Sequence, residues 1–287
     1  MFLRCLIIFC ILHASACRAV DVVKHIERQK AVNPQNDYFA KVLELALEQT
    51  VDTFGAYSLK PIDWKMFQGR QIQSVKQGTL DIMWTMTSAE REKELLPIRI
   101  PLTKGLIGYR VFMIRKGEEN KFKQFDNLFS LVALQGHDWP DTDILRHNGL
   151  RVETTSLYEN LFQFLHDGYV DYVPRGVLEA YGELDENEHL NISVESSVLL
   201  HYPTAVYFFV AKERKRLAIR IKLGLKKAIN DGSFDKLLFE HPTHKPIWKR
   251  LKSRQRRLIQ IDNPLLPKAT PLEKSEYWLS FNDFPQE

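Results

Sequence analysis

The chain has 287 residues, 44% of them hydrophobic and 26% charged, with 40 Lys+Arg against 36 Asp+Glu. That length suits two modest domains or one large one, and the composition is that of an ordinary globular protein. A formal net charge of only +4 implies no strong electrostatic partner, nucleic acid included.

The first nineteen residues stand apart. Met1–Arg4 gives a positive start, Leu6–Leu12 an apolar core and Ala14–Ala19 a small-residue finish, the pattern of a signal peptide and too short to span a membrane. Cleavage after Ala19 predicts simple secretion, whereas cleavage after Ala16 would place Cys17 first, where it would be open to lipidation. Removing Arg4 and Arg18 lowers Lys+Arg from 40 to 38 against 36 acidic residues, a mature net charge of +2. All three cysteines (Cys5, Cys10, Cys17) lie in this leader. A chain starting at Val20 has no thiol, so disulfides, thiolate catalysis and Cys-bound metals are excluded. An exported, thiol-free protein of this size fits a bacterial periplasm.

In chain order, Val20–Ile26 reads as a strand. Asp37–Gln49 carries Phe39, Val42, Leu43, Ala46 and Leu47 at helical spacing, with Asn36 or Asp37 as cap. Tyr57–Trp64 is a second strand and Gln68–Lys76 a helix ending at Gly78. Leu80–Met86 is an apolar strand, and Gly108–Arg115 is β-rich. This βαβαβ alternation predicts a parallel sheet covered by helices.

The pattern then restarts with a strand at Ser130–Leu134 and a turn at His137–Asp141. A helix over Thr142–Asn148 and a strand over Leu150–Thr154 follow. Next come a helix over Leu157–His166, a strand over Val170–Val173, and a helix over Arg175–Leu184 opened by Pro174. A second βαβαβ set is thus inserted into the first. Asn191–Leu200 and Thr204–Ala211 are strands, Lys215–Asn230 is a long amphipathic helix, and Ser233–Phe239 is a short one. Pro246–Ile259 is basic and reads as helix, and the tail from Asn263 holds four prolines and reads as an extended wrap.

Open α/β sheets bind ligands at the carboxyl ends of their strands. The turn after Leu80–Met86 places Thr85, Thr87, Ser88 and Arg91 where a small anion would sit, and the planar fork of Arg suits a carboxylate. Trp84 alternates with Thr85, so it faces either core or cleft. Arg91 has an alternative as a surface partner of Glu92 or Glu94. In the second set, Gly136, Asp138 and Trp139 follow a strand and are candidates to touch a ligand. Asp138 and Asp141 also serve as helix caps, and Trp139 also serves to cover the sheet. Arg175 at a helix start would add to the anion affinity of that end, unless it merely pairs with Glu179 one turn on.

The run G-x-x-D-I-x-W-x-x-T-S-x-E-R-E followed by P-L-x-x-G-L-x-G-Y-R resembles the family 3 solute-binding proteins, periplasmic receptors of the type II binding-protein fold. The resemblance continues in Phe164–Tyr172 (FLHDGYVDY) and Tyr207–Ser233, and covers most of Val20–Glu240. It implies a two-lobed α/β fold with a mixed sheet flanked by helices in each lobe. Residues 20–110 and 206–245 would form lobe 1, residues 111–205 lobe 2, and residues 246–287 an extension wrapping lobe 1. The chain would cross twice between lobes, with the ligand in the cleft between them and hinge closure driven by contacts made only when closed.

Amino-acid-binding members of that family hold the ligand's amino group with an acidic residue after the second lobe's strand. Here that place reads Pro174-Arg175-Gly176, with Glu179 the nearest carboxylate, and the usual Pro-Pro-Phe after the first strand is absent. Two arginines facing one cleft would suit a solute with two anionic ends, such as a dicarboxylate, an acidic sugar or a modified peptide fragment.

Among other function classes, no G-x-S-x-G, nucleophilic Cys or metal motif is present, and the nine histidines lack H-E-x-x-H spacing. The basic run Lys249–Arg257 keeps Leu251 and Leu258 as a packing stripe and reads as a solvated helix face rather than a nucleic-acid site. The resemblance therefore implies a monomeric, non-catalytic receptor for a small carboxylate-bearing solute, without cofactor or metal. It would serve an ABC permease or a membrane sensor. The alternative is a signalling or scaffold protein on the same fold, with an empty cleft and a docked membrane partner.

Overall fold

The computed structural model describes residues 20–26, 35–63, 68–123, 125–251 and 256–284. The expected signal peptide, Met1–Ala19, lies outside the described residues, as does part of the basic run after Leu251.

Strand β1 (Asp21–Ile26) pairs in parallel with β2 (Tyr57–Ile62), and between them run α1 (Gln35–Glu48) and the short α2 (Val51–Phe54). Helix α3 (Gln68–Lys76) leads to β3 (Ile82–Met86), α4 (Ala89–Glu94) and β4 (Leu96–Ile98). The chain then enters a larger sheet at β5 (Tyr109–Arg115) and adds β6 (Val132–Gly136), α5 (Pro140–His147), β7 (Arg151–Thr155) and α6 (Asn160–His166). It continues through β8 (Tyr172–Gly176), α7 (Ala180–Glu186), β9 (Ile192–Val194) and β10 (Val198–His201). It returns at β11 (Val206–Val210) and closes with α8 (Lys215–Asn230), α9 (Ser233–Glu240), α10 (Lys245–Leu251) and β12 (Arg257–Gln260).

The first lobe contains β1-β2 and the three-stranded order β3-β11-β4. These two pieces lie side by side, since the Asp81 amide donates to the Lys24 carbonyl at 2.9 Å. The second lobe is built on the order β12-β10-β5-β8-β6-β7, with β9 also on β5. It is a mixed sheet: β6 runs parallel to β7 and β8, whereas β5 is antiparallel to β8, β9 and β10. β11 is likewise antiparallel to β3 and β4, so neither lobe is the all-parallel sheet that the alternation of elements predicts. The strands that return the chain between lobes come back from the opposite direction, which element order alone does not reveal.

Helix α8 shows how sequence becomes packing. Leu217, Ile221, Leu225 and Ala228 recur at helical spacing and are buried, each large one contributing about 1.5–3 kcal/mol on burial. Gly224 lets this helix press against α1, because a Cβ there would sit 1.8 Å from the Ala46 carbonyl oxygen. Arg220, on the same helix, is wholly buried and reaches Asp21 at 2.6 Å and the Gly55 carbonyl at 2.7 Å. No helix among the described residues is long and apolar enough to cross a membrane.

Three local expectations are corrected. Pro174 does not open a helix: β8 continues through it, with Phe112 opposite Pro174 and Val111 opposite Arg175, and the helix begins only at Ala180. The proline is tolerated because its lost N–H is one ladder bond, while its carbonyl accepts from the Gln135 side chain at 3.0 Å. The helix expected over Pro246–Ile259 is described as helix over Lys245–Leu251, whereas Arg257–Gln260 is a strand parallel to β10. The helix expected from Leu157 starts at Asn160, because Thr155 Oγ1 accepts the Leu157 amide at 3.1 Å and makes a turn first.

Candidate functional site

The chain passes between the lobes after β4 and again between β10 and β11. The two passages lie against each other: a Cβ on Gly108 would meet the Tyr202 carbonyl oxygen at 2.3 Å, and the Tyr202 amide donates to the Gly108 carbonyl at 3.2 Å. Beside them lie Arg91 in α4 after β3, Asp138 in the turn after β6, and Arg175 near the end of β8.

Arg91 lies in α4, whose first turn is set by Ser88: its hydroxyl accepts the Arg91 amide at 3.2 Å as an N-cap. The residue is 8% exposed. Nη1 donates to Thr85 Oγ1 at 2.5 Å and to the Met86 carbonyl at 2.9 Å, and Nη2 to Gln68 Oε1 at 2.7 Å and the Asp138 carbonyl at 3.0 Å. All four acceptors are uncharged oxygens. Burial accordingly holds its pKa below the ordinary guanidinium range, opposed only in part by the carboxylates of Asp138, Asp141 and Glu90. The alternative surface partners are engaged elsewhere: Glu92 with Arg99 at 2.5 Å, Glu94 with Lys76 at 2.8 Å.

The other two arginines of the seam are compensated. Arg175 forks onto Glu183, Nε to Oε2 at 2.8 Å and Nη2 to Oε1 at 2.6 Å, and also lies 3.2 Å from Glu179. Its guanidinium stacks over Trp139 at 4.8 Å and Tyr158 at 5.9 Å, and the Tyr158 hydroxyl donates to Glu183. Arg110, on β5, pairs with Asp141 at 2.7 Å and Glu179 at 3.6 Å, and the Tyr202 hydroxyl donates to Asp141. Burial works against the charge of both, but Asp141 and Glu179 at Arg110, and Glu179 and Glu183 at Arg175, outweigh it and raise their pKa values. Among the described residues, two of these guanidinium groups are thus ion-paired and Arg91 is not.

The remaining candidates divide accordingly. Thr85 binds Arg91 and also donates to Gln68 at 3.0 Å, so it belongs to the Arg91 shell. Thr87 donates to Glu92 at 2.9 Å. Trp84 faces the other side of β3, half-buried among Phe39, Phe208 and His25. Asp138 reaches the first lobe twice, through its carbonyl to Arg91 and through Oδ2 to the Gly69 amide at 3.3 Å. Gly136 makes room for the Trp139 indole, whose atoms would lie 2.5 Å from a Cβ there. Glu179 accepts the Gly176 amide at 3.0 Å. Glu183 occupies the Arg175 fork, whereas Arg91 makes no ion pair among the described residues.

Sequence reasoning missed Gln68, Arg110, Glu183 and Tyr202. Arg110 and Tyr202 flank the passages between lobes, a place readable only after the crossings are known. Glu183 lies two helical turns past Arg175 in sequence number, but the strand through Gly176 changes the path.

Solved structures with this architecture include the P235GK mutant of the arginine-binding protein ArgBP from T. maritima, 18% identical, with 78% of this chain and 95% of that one covered at a TM-score of 0.56. The periplasmic VFT2 domain of BvgS from Bordetella pertussis is 15% identical over 76% and 92% of the two chains, with a TM-score of 0.60. The chain has the two-lobed periplasmic binding protein fold. The probable amino-acid ABC transporter extracellular-binding protein ytmK from Bacillus subtilis shares this fold at 13% identity, over 79% and 100% of the chains and a TM-score of 0.59. No family model matches the sequence, and no curated protein matches it. The binding-protein fold therefore rests on backbone geometry.

Proposed function

We propose that this protein is a non-catalytic, periplasmic solute-binding protein whose cleft takes a small polar solute through a carboxylate. The observation that carries this reading is Arg91, a buried guanidinium whose acceptors among the described residues are neutral oxygens. One of those oxygens, the Asp138 carbonyl, comes from the opposite lobe. Rotation of the lobes withdraws it and frees an Nη2 donor toward the cleft. A solute carboxylate would then supply the missing counter-charge in charge-assisted bonds, about twice as strong as neutral ones. Because Arg175 and Arg110 carry their own carboxylates, one anionic end is sufficient, and the dianion is narrowed to a solute with a single obligatory carboxylate. The seam acids are ion-paired, which suits binding rather than proton transfer. The solute would be delivered to an ABC permease or a membrane sensor.

The test is a thermal-shift series on the chain from Val20 with succinate, glutamate, galacturonate and citrate, set against glucose and arginine amide. A solute at a hundredfold excess over its Kd adds about 2.7 kcal/mol of stability. Stabilisation by carboxylates and none by arginine amide is expected, with the effect lost in Arg91→Met. A second reading, a signalling or scaffold protein with a self-closed cleft docking a membrane partner, is favoured by the neutralised Arg110 and Arg175. It gains if no solute stabilises the protein.

A further inference from the structure

Beyond the cleft, the segment that follows α10 attaches to both lobes. On the second lobe, β12 extends the sheet beside β10, Arg256 donates to the Val198 carbonyl at 3.0 Å, and Asn148 exchanges two bonds with Asp262, at 2.8 and 3.1 Å. The chain then runs along the passages between lobes. The Ile261 amide donates to the His201 carbonyl at 2.9 Å, and Asn263 Nδ2 to the Pro203 carbonyl at 2.8 Å. On the first lobe, the Leu265 carbonyl accepts the Ala89 amide at 3.1 Å, the first N–H of the helix that carries Arg91.

The later part of the segment clamps the other passage. Lys104 has a left-handed backbone, φ 46°, which for a residue other than glycine is uncommon, and Gly105 follows at φ 78°. The Trp278 ring covers Gly105 so closely that a Cβ would lie 2.5 Å from it, and the Leu279 amide donates to the Lys104 carbonyl at 2.9 Å. Trp278 also packs against the apolar cluster that includes Val75, Leu80, Met83 and Tyr207, as well as against the main core. Phe284 meets Tyr109, at the start of β5, with ring centroids 4.9 Å apart.

We propose that residues 256–284 form a strap that sets the angle between the lobes and holds the Ser88–Arg91 turn in its cleft-facing position. A two-lobed protein hinged on two chain passages opens by rotation about them. Here a third covalent run is anchored to the second lobe at Asn148 and β10 and to the first at Ala89 and Trp278. Rotation must therefore break one set of anchors. The strap makes the closed form the resting form and links cleft opening to release of the C-terminal segment.

Residues from Val20 onward contain no cysteine, so spin labels can be placed at will. Labels at Lys226→Cys, exposed on α8, and Glu153→Cys, exposed on β7, report the interlobe distance by pulsed electron resonance. The otherwise native chain is expected to give one narrow distance. The triple variant N148A/N263A/W278A is expected to give a broadened, longer distribution while still unfolding in one cooperative transition. Identical distributions in the two folded proteins overturn the proposal. If the triple variant does not fold, an Ala89→Cys/Leu265→Cys disulfide decides. Oxidation should slow exchange of the Leu102 and Tyr202 amides at least tenfold relative to the reduced form, and equal rates overturn the strap.

Discussion

The Nη2 of Arg91 donates to the Asp138 carbonyl over 3.0 Å, joining a helix of one lobe to a turn of the other. That bond and the Gly69–Asp138 contact are direct polar links across the seam at the site itself. A cation fixed by neutral partners is a different object from a salt bridge, because its charge remains to be answered.

Arg91→Lys tests that geometry. An ammonium offers three donors without a planar fork and cannot serve Thr85, Met86, Gln68 and Asp138 together. The variant is expected to lose about 1–3 kcal/mol, the cost of leaving buried acceptors unmatched. Urea unfolding measures it.

Arg175 and Glu183 form a buried bidentate pair, 3% and 1% exposed at the side chains. Arg175→Met leaves an unanswered carboxylate and should cost about 3–5 kcal/mol, whereas the double variant Arg175→Met/Glu183→Leu should recover most of that loss. A double-mutant cycle by chemical denaturation checks both figures.

Gly224→Ala sets helix propensity against packing. Alanine gains about 1 kcal/mol in a helix interior, but its Cβ would lie 1.8 Å from the Ala46 carbonyl oxygen, a backbone atom that moves only if α1 moves. Overpacking of this kind costs about 1–3 kcal/mol or more, so a lowered melting temperature is expected despite the better helix former.

His244 is buried, and burial pushes its pKa down to about 3, with the Leu238 carbonyl opposing. The folded state keeps it neutral, whereas the unfolded chain takes a proton near pH 6.5. Between those values the unfolded state binds more protons, so stability falls as pH drops from about 6.5 toward 3, by up to about 1.4 kcal/mol per pH unit from this one group. His244→Gln should flatten the acid limb of the stability curve, read by denaturant midpoints at pH 4 to 7.

Much of the fold was legible in local pattern. Helix α8 follows from its apolar spacing, whereas the turn after Met86 was read only as a turn and proves to open the short helix α4, capped by Ser88. The strand through Pro174 was not legible, because a proline reads as a helix start unless the partner strand is known. The same reading placed Arg175 at a helix start, with Glu179 as its alternative partner, and did not reach Glu183.

Local pattern was enough for the alternating α/β elements, the absence of any thiol after Val20, and the place of Arg91 in the turn after the strand that ends at Met86. These depend on neighbours within a few residues, where periodicity and capping act. Only the tertiary structure decided that Glu183 and Asp141 neutralise Arg175 and Arg110, that Asp138 meets Arg91 from the other lobe, and that the tail binds both lobes. Those contacts join residues far apart in the chain, and burial makes them strong: charges removed from water must be answered by whichever group the fold brings within reach.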